Sequence, residues 1–399
     1  MKMETHNSSD STGKRTLAAC SIAHVLHDGF SDLLFVLFPI WQVAFGLSFA
    51  QVGLLKMLYS GSMAVFQVPA SLLAERFGAR LLLSLGTFVA GCGFILSGYT
   101  SGFVGLLLCL VLSGTGASVQ HPLGSALTSQ VFEGTRLRAA LSTYNFSGDV
   151  GKVLLPAACA ALLALYDWHT VTSLMGLLGI GTVLVLWFLV PHDTNGVAKT
   201  TEKVNGTSEV ARSATLANQS FLSLSAIGII DSATRMGFLT LLPFALMNKG
   251  ASVTQVGFAL SLTFAGGAAG KFFCGLIAAH FGVLRTTILT ELATSVCIFF
   301  LLSTSLEGAM LLLPILGIAL NGTSSVLYGT VAELVPVSRR ARAFGIFYTL
   351  TIGAGATSPV LYGLLGDRLG VPLTFKIIAS VVLLVLPLTL GLRSALNPH

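Results

Sequence analysis

Gln51-Val52-Gly53 and Gln255-Val256-Gly257 stand near the starts of two long apolar stretches, one in each half of the chain. The interval that separates them also carries Pro39 to Pro243, Phe77-Gly78 to Phe281-Gly282 and Arg138 to Arg342. A long repeat set in apolar sequence predicts two similar helical bundles around a shared cavity. Secondary transporters are commonly built this way, with the binding site near the bilayer midplane.

Composition points the same way. Hydrophobic residues make up 54% of the chain and charged residues 10%, against roughly 25% charged in a soluble domain. The mean hydropathy is +0.84. Apolar runs of about 20 residues recur, each long enough to cross a hydrocarbon core as a helix. Helices satisfy every backbone polar group internally, which hydrocarbon demands. The six cysteines all lie in apolar segments without a CxxC pair, so buried thiols are expected rather than a disulfide framework or zinc site. No Walker lysine motif and no GxSxG elbow occurs, which argues against ATP hydrolysis and a serine hydrolase. The reading is therefore not an enzyme, and it requires no cofactor.

Twelve spans fit, near 17–44, 50–74, 80–99, 102–131, 138–166, 169–190, 219–248, 253–280, 284–305, 308–333, 340–366 and 371–393. The expected organisation is a tail (1–16), a six-helix bundle (17–190), a linker (191–218), a second six-helix bundle (219–393) and a short tail (394–399). The fold class is an all-α membrane protein in two pseudo-symmetric bundles. The linker is polar and has no apolar face. The first span is too long for a signal h-region and has no clear cleavage site, so it reads as a retained helix. The net charge is +6, but the basic residues fall in short loops on one side. That is a positive-inside pattern rather than a nucleic-acid surface, and it puts both termini and the linker in the cytoplasm.

Charges inside the spans carry the functional reading. Each costs about 2.5–3.5 kcal/mol on insertion scales, so each calls for a partner or a water-filled cavity. His24, Asp28 and Asp32 recur at four-residue spacing and share one face of the first span. A carboxylate that exchanges a proton, with histidine to pass it on, makes Asp28 with His24 and Asp32 the expected proton-coupling group. A static hydrogen bond between helices is the competing reading. Asp149 and Lys152 lie three apart, Asp231 and Arg235 four apart, so each can pair within its own helix. Asp231 is the repeat equivalent of His27. Arg235 offers a planar fork for a carboxylate or phosphonate. Lys271 and His121, the latter in a His121-Pro122 pair that interrupts the fourth span, join the candidate substrate contacts, as do the hydroxyls of Tyr59, Tyr144 and Tyr328. Each has a packing alternative. Lys56 is expected to snorkel toward the surface.

His24, His27 and Asp28 have metal-ligand chemistry, but no HExxH or cysteine cluster supports them, so no metal site is assigned. At the helix ends Glu75, Arg76, Arg80, Arg136 and Arg138, with Glu333, Arg339, Arg340 and Arg342 in the second half, form an expected cytoplasmic gate. Topology signalling is the competing account.

Ser71-Leu72-Leu73-Ala74-Glu75-Arg76-Phe77-Gly78-Ala79-Arg80 resembles the loop signature of the major facilitator superfamily, Gly-x-Leu-Ala-Asp-Arg-x-Gly-Arg-Lys. It departs at Ser71 and Glu75. Gly275 to Gly282 repeats it weakly, and Gly363-Leu364-Leu365-Gly366-Asp367-Arg368-Leu369-Gly370 is a third match. Within that superfamily the chain is similar to the fosmidomycin-resistance branch of bacterial efflux proteins. The matching residues are Ser21, His24 and Asp28, then Pro39, then Leu47-Ser48-Phe49-x-Gln51-Val52-Gly53. Gly114 to Pro122 and Gly148, Gly151 and Pro156 match as well. Asp149 and Lys152 stand where neutral polar residues are the branch's habit.

The resemblance implies the major facilitator fold and a monomeric inner-membrane transporter. The expected function is proton-coupled export of a small anionic or zwitterionic molecule by alternating access. The expected partners are that small molecule, protons and the lipid bilayer, with no nucleic acid. Transport of a metal ion or metal chelate is the alternative.

Overall fold

Long apolar stretches form helices, even across interior prolines such as Pro39, Pro156 and Pro243, because no other local structure closes its own hydrogen bonds in lipid. The computed structural model describes residues 2–190, 213–335 and 340–396. Most of the expected linker, and Arg339 of the expected gate, lie outside the described residues.

The elements are α1 (Lys2–Phe45), α2 (Phe49–Phe77), α3 (Ala79–Ser97), α4 (Phe103–Ala117), α5 (Gln120–Val131), α6 (Gly134–Leu163), α7 (Trp168–Leu189) and α8 (Ser213–Asn248). They continue as α9 (Val253–Phe281), α10 (Val283–Ser303), α11 (Leu306–Leu334), α12 (Arg340–Leu369), α13 (Val371–Val382), α14 (Val385–Leu388) and α15 (Leu390–Leu396). They supply twelve stretches long and apolar enough to cross a membrane. Two expected spans are interrupted. The stretch 102–131 parts into α4 and α5 at Ser118 and Val119, just ahead of Pro122, which has no N–H to give to a continuous ladder. The last stretch is divided among α13, α14 and α15. The expected linker also gives up its end, since α8 already begins at Ser213.

The chain separates into two units. The first comprises Met1–Leu47, Leu55–Thr200 and Val253–Ser261. In it α1 runs along α6 and touches α5 and α7, while α3 packs between α4 and α7. Its inner core holds Ala19, Cys20, Leu83, Leu127, Tyr144 and Leu186. The second unit comprises Ser48–Leu54, Thr201–Ser252 and Leu262–His399. There α8 packs on α12, and α10 on α11 and α13, around Leu224, Leu327, Val331, Phe347 and Leu392. Large apolar side chains such as Val104, Phe188 and Leu311 also point outward, as expected where the surrounding solvent is lipid.

Helix ends show why some polar residues sit where they do. Gly78 and Gly282, repeat equivalents, precede α3 and α10 with φ of 91° and 86°, a conformation that costs a side-chain-bearing residue. Within the second unit, Asp367 of the third signature match accepts the N–H groups of Phe49 (2.6 Å) and Ala50 (3.0 Å) at the start of α2. A carboxylate there satisfies free donors and complements the helix dipole. Asp167 caps α7 by accepting from the Thr170 N–H at 2.9 Å. That hydrogen bond holds its carboxyl below the usual carboxylate range. All six cysteines are free thiols.

Candidate functional site

The close approach of α1 and α6 assembles the densest group of ionisable side chains in the first unit. Gly148 makes room for it. A Cβ there would stand 2.6 Å from Asp28 Oδ2 and 2.7 Å from His24 Nε2. Asp28 is the hub. Lys152 Nζ lies 3.1 Å from its Oδ2, His24 Nε2 3.5 Å and His121 Nε2 3.6 Å from its Oδ1. Lys152 also reaches Asp149 at 3.5 Å. The helical spacing does pair Asp149 with Lys152, yet the shorter contact crosses to α1. The ammonium is therefore shared between two carboxylates rather than neutralised within α6.

The tautomer of neutral His24 follows from its neighbours. Its Nδ1 is 2.7 Å from the Tyr144 carbonyl, which can only accept, so Nδ1 carries the hydrogen. Nε2 then faces Asp28 Oδ1 at 3.5 Å, and a proton taken up there is donated to the carboxylate. The ring stacks on Tyr144 at 4.3 Å and meets His121 edge-on at 5.2 Å. Tyr144 is locked from beneath: its hydroxyl donates to the Gln120 carbonyl at 2.9 Å and accepts from Gln120 Nε2 at 3.2 Å. Asp28 and His24 are thus held rigidly. Lys152 and His121 are open, with side chains 30% and 42% exposed. A fixed carboxylate beside an empty imidazole nitrogen and an accessible ammonium can exchange a proton and take hold of an anionic group.

Other expected residues turn elsewhere. Asp32 faces α2, where Lys56 Nζ lies 3.9 Å away. Lys56 does not snorkel. It is fully buried, donates to the Ser31 carbonyl (2.7 Å) and hydroxyl (3.1 Å), and sits 4.5 Å over the Phe35 ring. Acceptors on the neighbouring α1 outweigh the pull of the surface. Tyr59 is fully buried, its ring 5.8 Å from that ammonium. His27 is buried and engages Thr87 on α3 at 3.0 Å.

In the second unit, Asp231, Arg235 and Tyr328 line a narrow cleft with Ser232, Ser324 and Thr351, with room for about one water molecule. Arg235 donates to the Ser324 hydroxyl at 3.3 Å. The Tyr328 hydroxyl is 3.3 Å from Thr351 Oγ1, and its ring stacks on Tyr348 at 4.6 Å. Lys271 is half-buried on α9 and is not among the residues lining this cavity. Of the expected gate, Glu75, Arg76, Arg136, Arg138, Glu333 and Arg342 are exposed. Arg80 instead donates to the Trp187 carbonyl and lies 4.6 Å over its ring, tying α3 to α7.

Three participants were missed as such by the sequence reading. Gln120 supports Tyr144 from within a strongly apolar segment. Lys56 answers Asp32. Glu291 contacts Asp231. Each is a polar residue inside a span, which was the available signal, but its partner lies on another helix. His24, Asp28 and His121 bring three ligand atoms within 4.8 Å of one another, with His121 where the sequence offered His27. Their donor types suit a transition metal. However, the ammonium of Lys152 stands 3.1 Å from the other oxygen of Asp28, and its charge repels a second cation.

The chain matches the Major Facilitator Superfamily over residues 20–245 and again over 224–398. It is 26% identical over 377 residues to the fosmidomycin resistance protein of Escherichia coli K12, covering 92% of this chain and 90% of that protein. It is 22% identical over 374 residues to a D-galactonate transporter of Escherichia coli O6:H1, covering 86% of each. Among solved structures, a bacterial homologue of the human lysosomal transporter Spinster superposes with a TM-score of 0.79 at 18% identity, covering 97% and 99% of the two chains. The nucleoside transporter NupG does so at 0.77 and 12%, covering 96% and 99%. Twelve apolar helices, the internal repeat and these relatives, which are transporters rather than enzymes, lead to one conclusion: the chain is a multi-pass secondary transporter and belongs to the major facilitator superfamily.

Proposed function

We propose that the protein is a proton-coupled exporter of a small anionic or zwitterionic organic molecule, working by alternating access with both termini in the cytoplasm of a bacterial inner membrane. The observation that carries this reading is the 3.1 Å contact between Lys152 and Asp28. It joins an accessible cation to a buried carboxylate flanked by two imidazoles. A cargo carboxylate or phosphonate that takes Lys152 removes the counter-charge of Asp28. Asp28 must then acquire another positive partner, because an isolated charge at membrane depth is costly.

The nature of that partner sets the sign of coupling. The cationic end of a zwitterion fills the place of the proton, so cargo and proton alternate on Asp28 and move in opposite directions. A cargo that is purely anionic leaves Asp28 to bind a proton and carries it along. Driven export therefore favours the zwitterion. Lys152 waits on Asp149 while Asp28 is protonated, and His24 Nε2 supplies the proton's route on or off. Similarity to a resistance protein supports export. Similarity to transporters named for D-galactonate and 4-hydroxybenzoate supports a carboxylate-bearing cargo. An organic cargo is favoured over a metal ion because Lys152 competes for the same carboxylate.

The test is flux in proteoliposomes under an imposed pH gradient, with a panel of fosmidomycin, galactonate, hydroxybenzoate and zwitterionic amino acids. The proposal expects at least one substrate whose export is driven by inward protons and abolished in Lys152→Gln. Flux indifferent to the gradient for every transported compound contradicts proton coupling.

A further inference from the structure

We infer that Lys56 is a positioning residue that holds Asp32 as a fixed anion and so takes it out of proton exchange. Given the coupling proposed at Asp28, on which this consequence rests, α1 then offers one exchangeable carboxylate rather than two. Asp28 and Asp32 stand one turn apart on the same helix face, and each side chain is 12% exposed. Spacing and burial therefore treat them alike. Their counter-ions do not.

Lys56 of α2 is fully buried, and its surroundings are those of a cation. Its Nζ donates to the Ser31 carbonyl at 2.7 Å and to the Ser31 hydroxyl at 3.1 Å. It stands 4.5 Å over the face of Phe35 and 3.9 Å from Asp32 Oδ1. A carbonyl dipole, a π face and a carboxylate all favour the ammonium over the neutral amine. A buried ammonium needs a counter-charge, and Asp32 is the acid within ion-pair distance of it among the described residues. The grip is partly on the main chain of the residue next to Asp32, so the ammonium is anchored independently of the Asp32 rotamer.

Asp28 is served differently. Its ammonium, on Lys152, belongs to a side chain 30% exposed and has a second carboxylate, Asp149, at 3.5 Å. Lys152 can leave Asp28, whereas moving the enclosed Lys56 breaks both bonds to Ser31. The other titratable groups around Asp32 are Tyr59 on α2, Asp28 on α1 and Lys152 on α6. Tyrosine is neutral in the working range, and Lys152 already serves Asp28 and Asp149. Asp28, Asp32 and Asp149 share the two ammonium groups, which leaves one charge for a proton to balance. With Asp32 assigned to Lys56, that proton belongs to the Asp28 end.

Carboxyl labelling with dicyclohexylcarbodiimide tests this in the purified, lipid-reconstituted protein. The reagent reacts with protonated carboxyls. One of its nitrogens takes the carboxyl proton, the carboxylate oxygen adds to its central carbon, and the adduct rearranges to a stable N-acylurea. Mass spectrometry of the peptides reads the added mass. An amide between Asp32 and Lys56, formed with release of the urea if the Lys56 nitrogen intercepts the adduct, counts as modification of Asp32. At neutral pH Asp32 should be unmodified in the wild type. Lys56→Met should raise its modification roughly tenfold or more, the effect of one pKa unit on the protonated fraction, and Lys56→Arg should restore protection. Asp28, equally exposed, is the access control and should become modified ahead of Asp32 as pH falls. Asp32 modified in the wild type at neutral pH overturns the assignment without any variant, and so does a folded Lys56→Met whose Asp32 stays unmodified. If Lys56→Met does not fold, the wild-type order decides: Asp32 modified before or together with Asp28 overturns it. Asp28 unmodified at every pH, with Asp32 released in Lys56→Met, counts against the coupling proposal and leaves the pairing of Lys56 with Asp32 standing.

Discussion

Lys152 Nζ is closer to Asp28 of α1, at 3.1 Å, than to Asp149 of its own helix, at 3.5 Å. An ammonium poised between two carboxylates can change partner with a small movement of its flexible stem. Removing it alone leaves two acids near one another in a largely buried setting. Lys152→Met should destabilise the protein by roughly 3 kcal/mol, the scale for breaking a buried pair. Adding Asp28→Asn should recover much of that loss while transport stays absent. Thermal unfolding of the single and double variants in detergent checks this. Additive losses would show that the pair is not coupled.

Gly148→Ala adds one methyl group against Asp28 and His24. Overpacking costs about 1–3 kcal/mol, and here it also displaces the pair proposed to couple protons. Gly181→Ala is the control, since a Cβ there meets nothing within 4 Å. Flux assays should find Gly148→Ala inactive and Gly181→Ala active. An active Gly148→Ala would mean the geometry around Asp28 is not critical.

Lys56 and Lys152 should differ in reactivity toward a small water-soluble amine reagent. Lys56 is fully buried on Ser31, while the Lys152 side chain is 30% exposed. Mass spectrometry after brief labelling should find Lys152 modified and Lys56 spared. Equal modification would contradict the buried position of Lys56.

Asp167 gives a pH signature outside the spans. The Thr170 N–H bond lowers its folded pKa below the unfolded value. Its contribution to stability is therefore complete above the unfolded pKa and is lost as pH falls through the folded one. Asp167→Asn should remove that acid-side dependence with little change in flux at neutral pH. Melting temperatures measured across the acid range decide it. Parallel curves for the two proteins would exclude the cap as their source.

Much of the architecture was legible because lipid imposes a simple rule on length and polarity. The repeat, the twelve apolar stretches and the disturbance at His121-Pro122 all follow from it. Partner choice was less legible. Lipid and bundle interior are equally apolar, so hydropathy does not say which way a helix faces. That is why Lys56 was expected at the surface but lies beneath Ser31. It is also why the approach of Glu291 on α10 to Asp231 on α8 is not visible from spacing. Asp149 and Lys152 were visible as neighbours from spacing alone, yet the contact from Lys152 to Asp28 depends on how α1 and α6 meet.

The most direct measurement compares two modes of flux in one variant. In proteoliposomes, Asp28→Asn should lose accumulation driven by a pH gradient and keep exchange of labelled for unlabelled substrate only at raised substrate concentration, because Lys152 still holds the anionic end of the cargo while the partner of its cationic end is gone. Gradient-driven accumulation at the wild-type rate in Asp28→Asn would contradict the account.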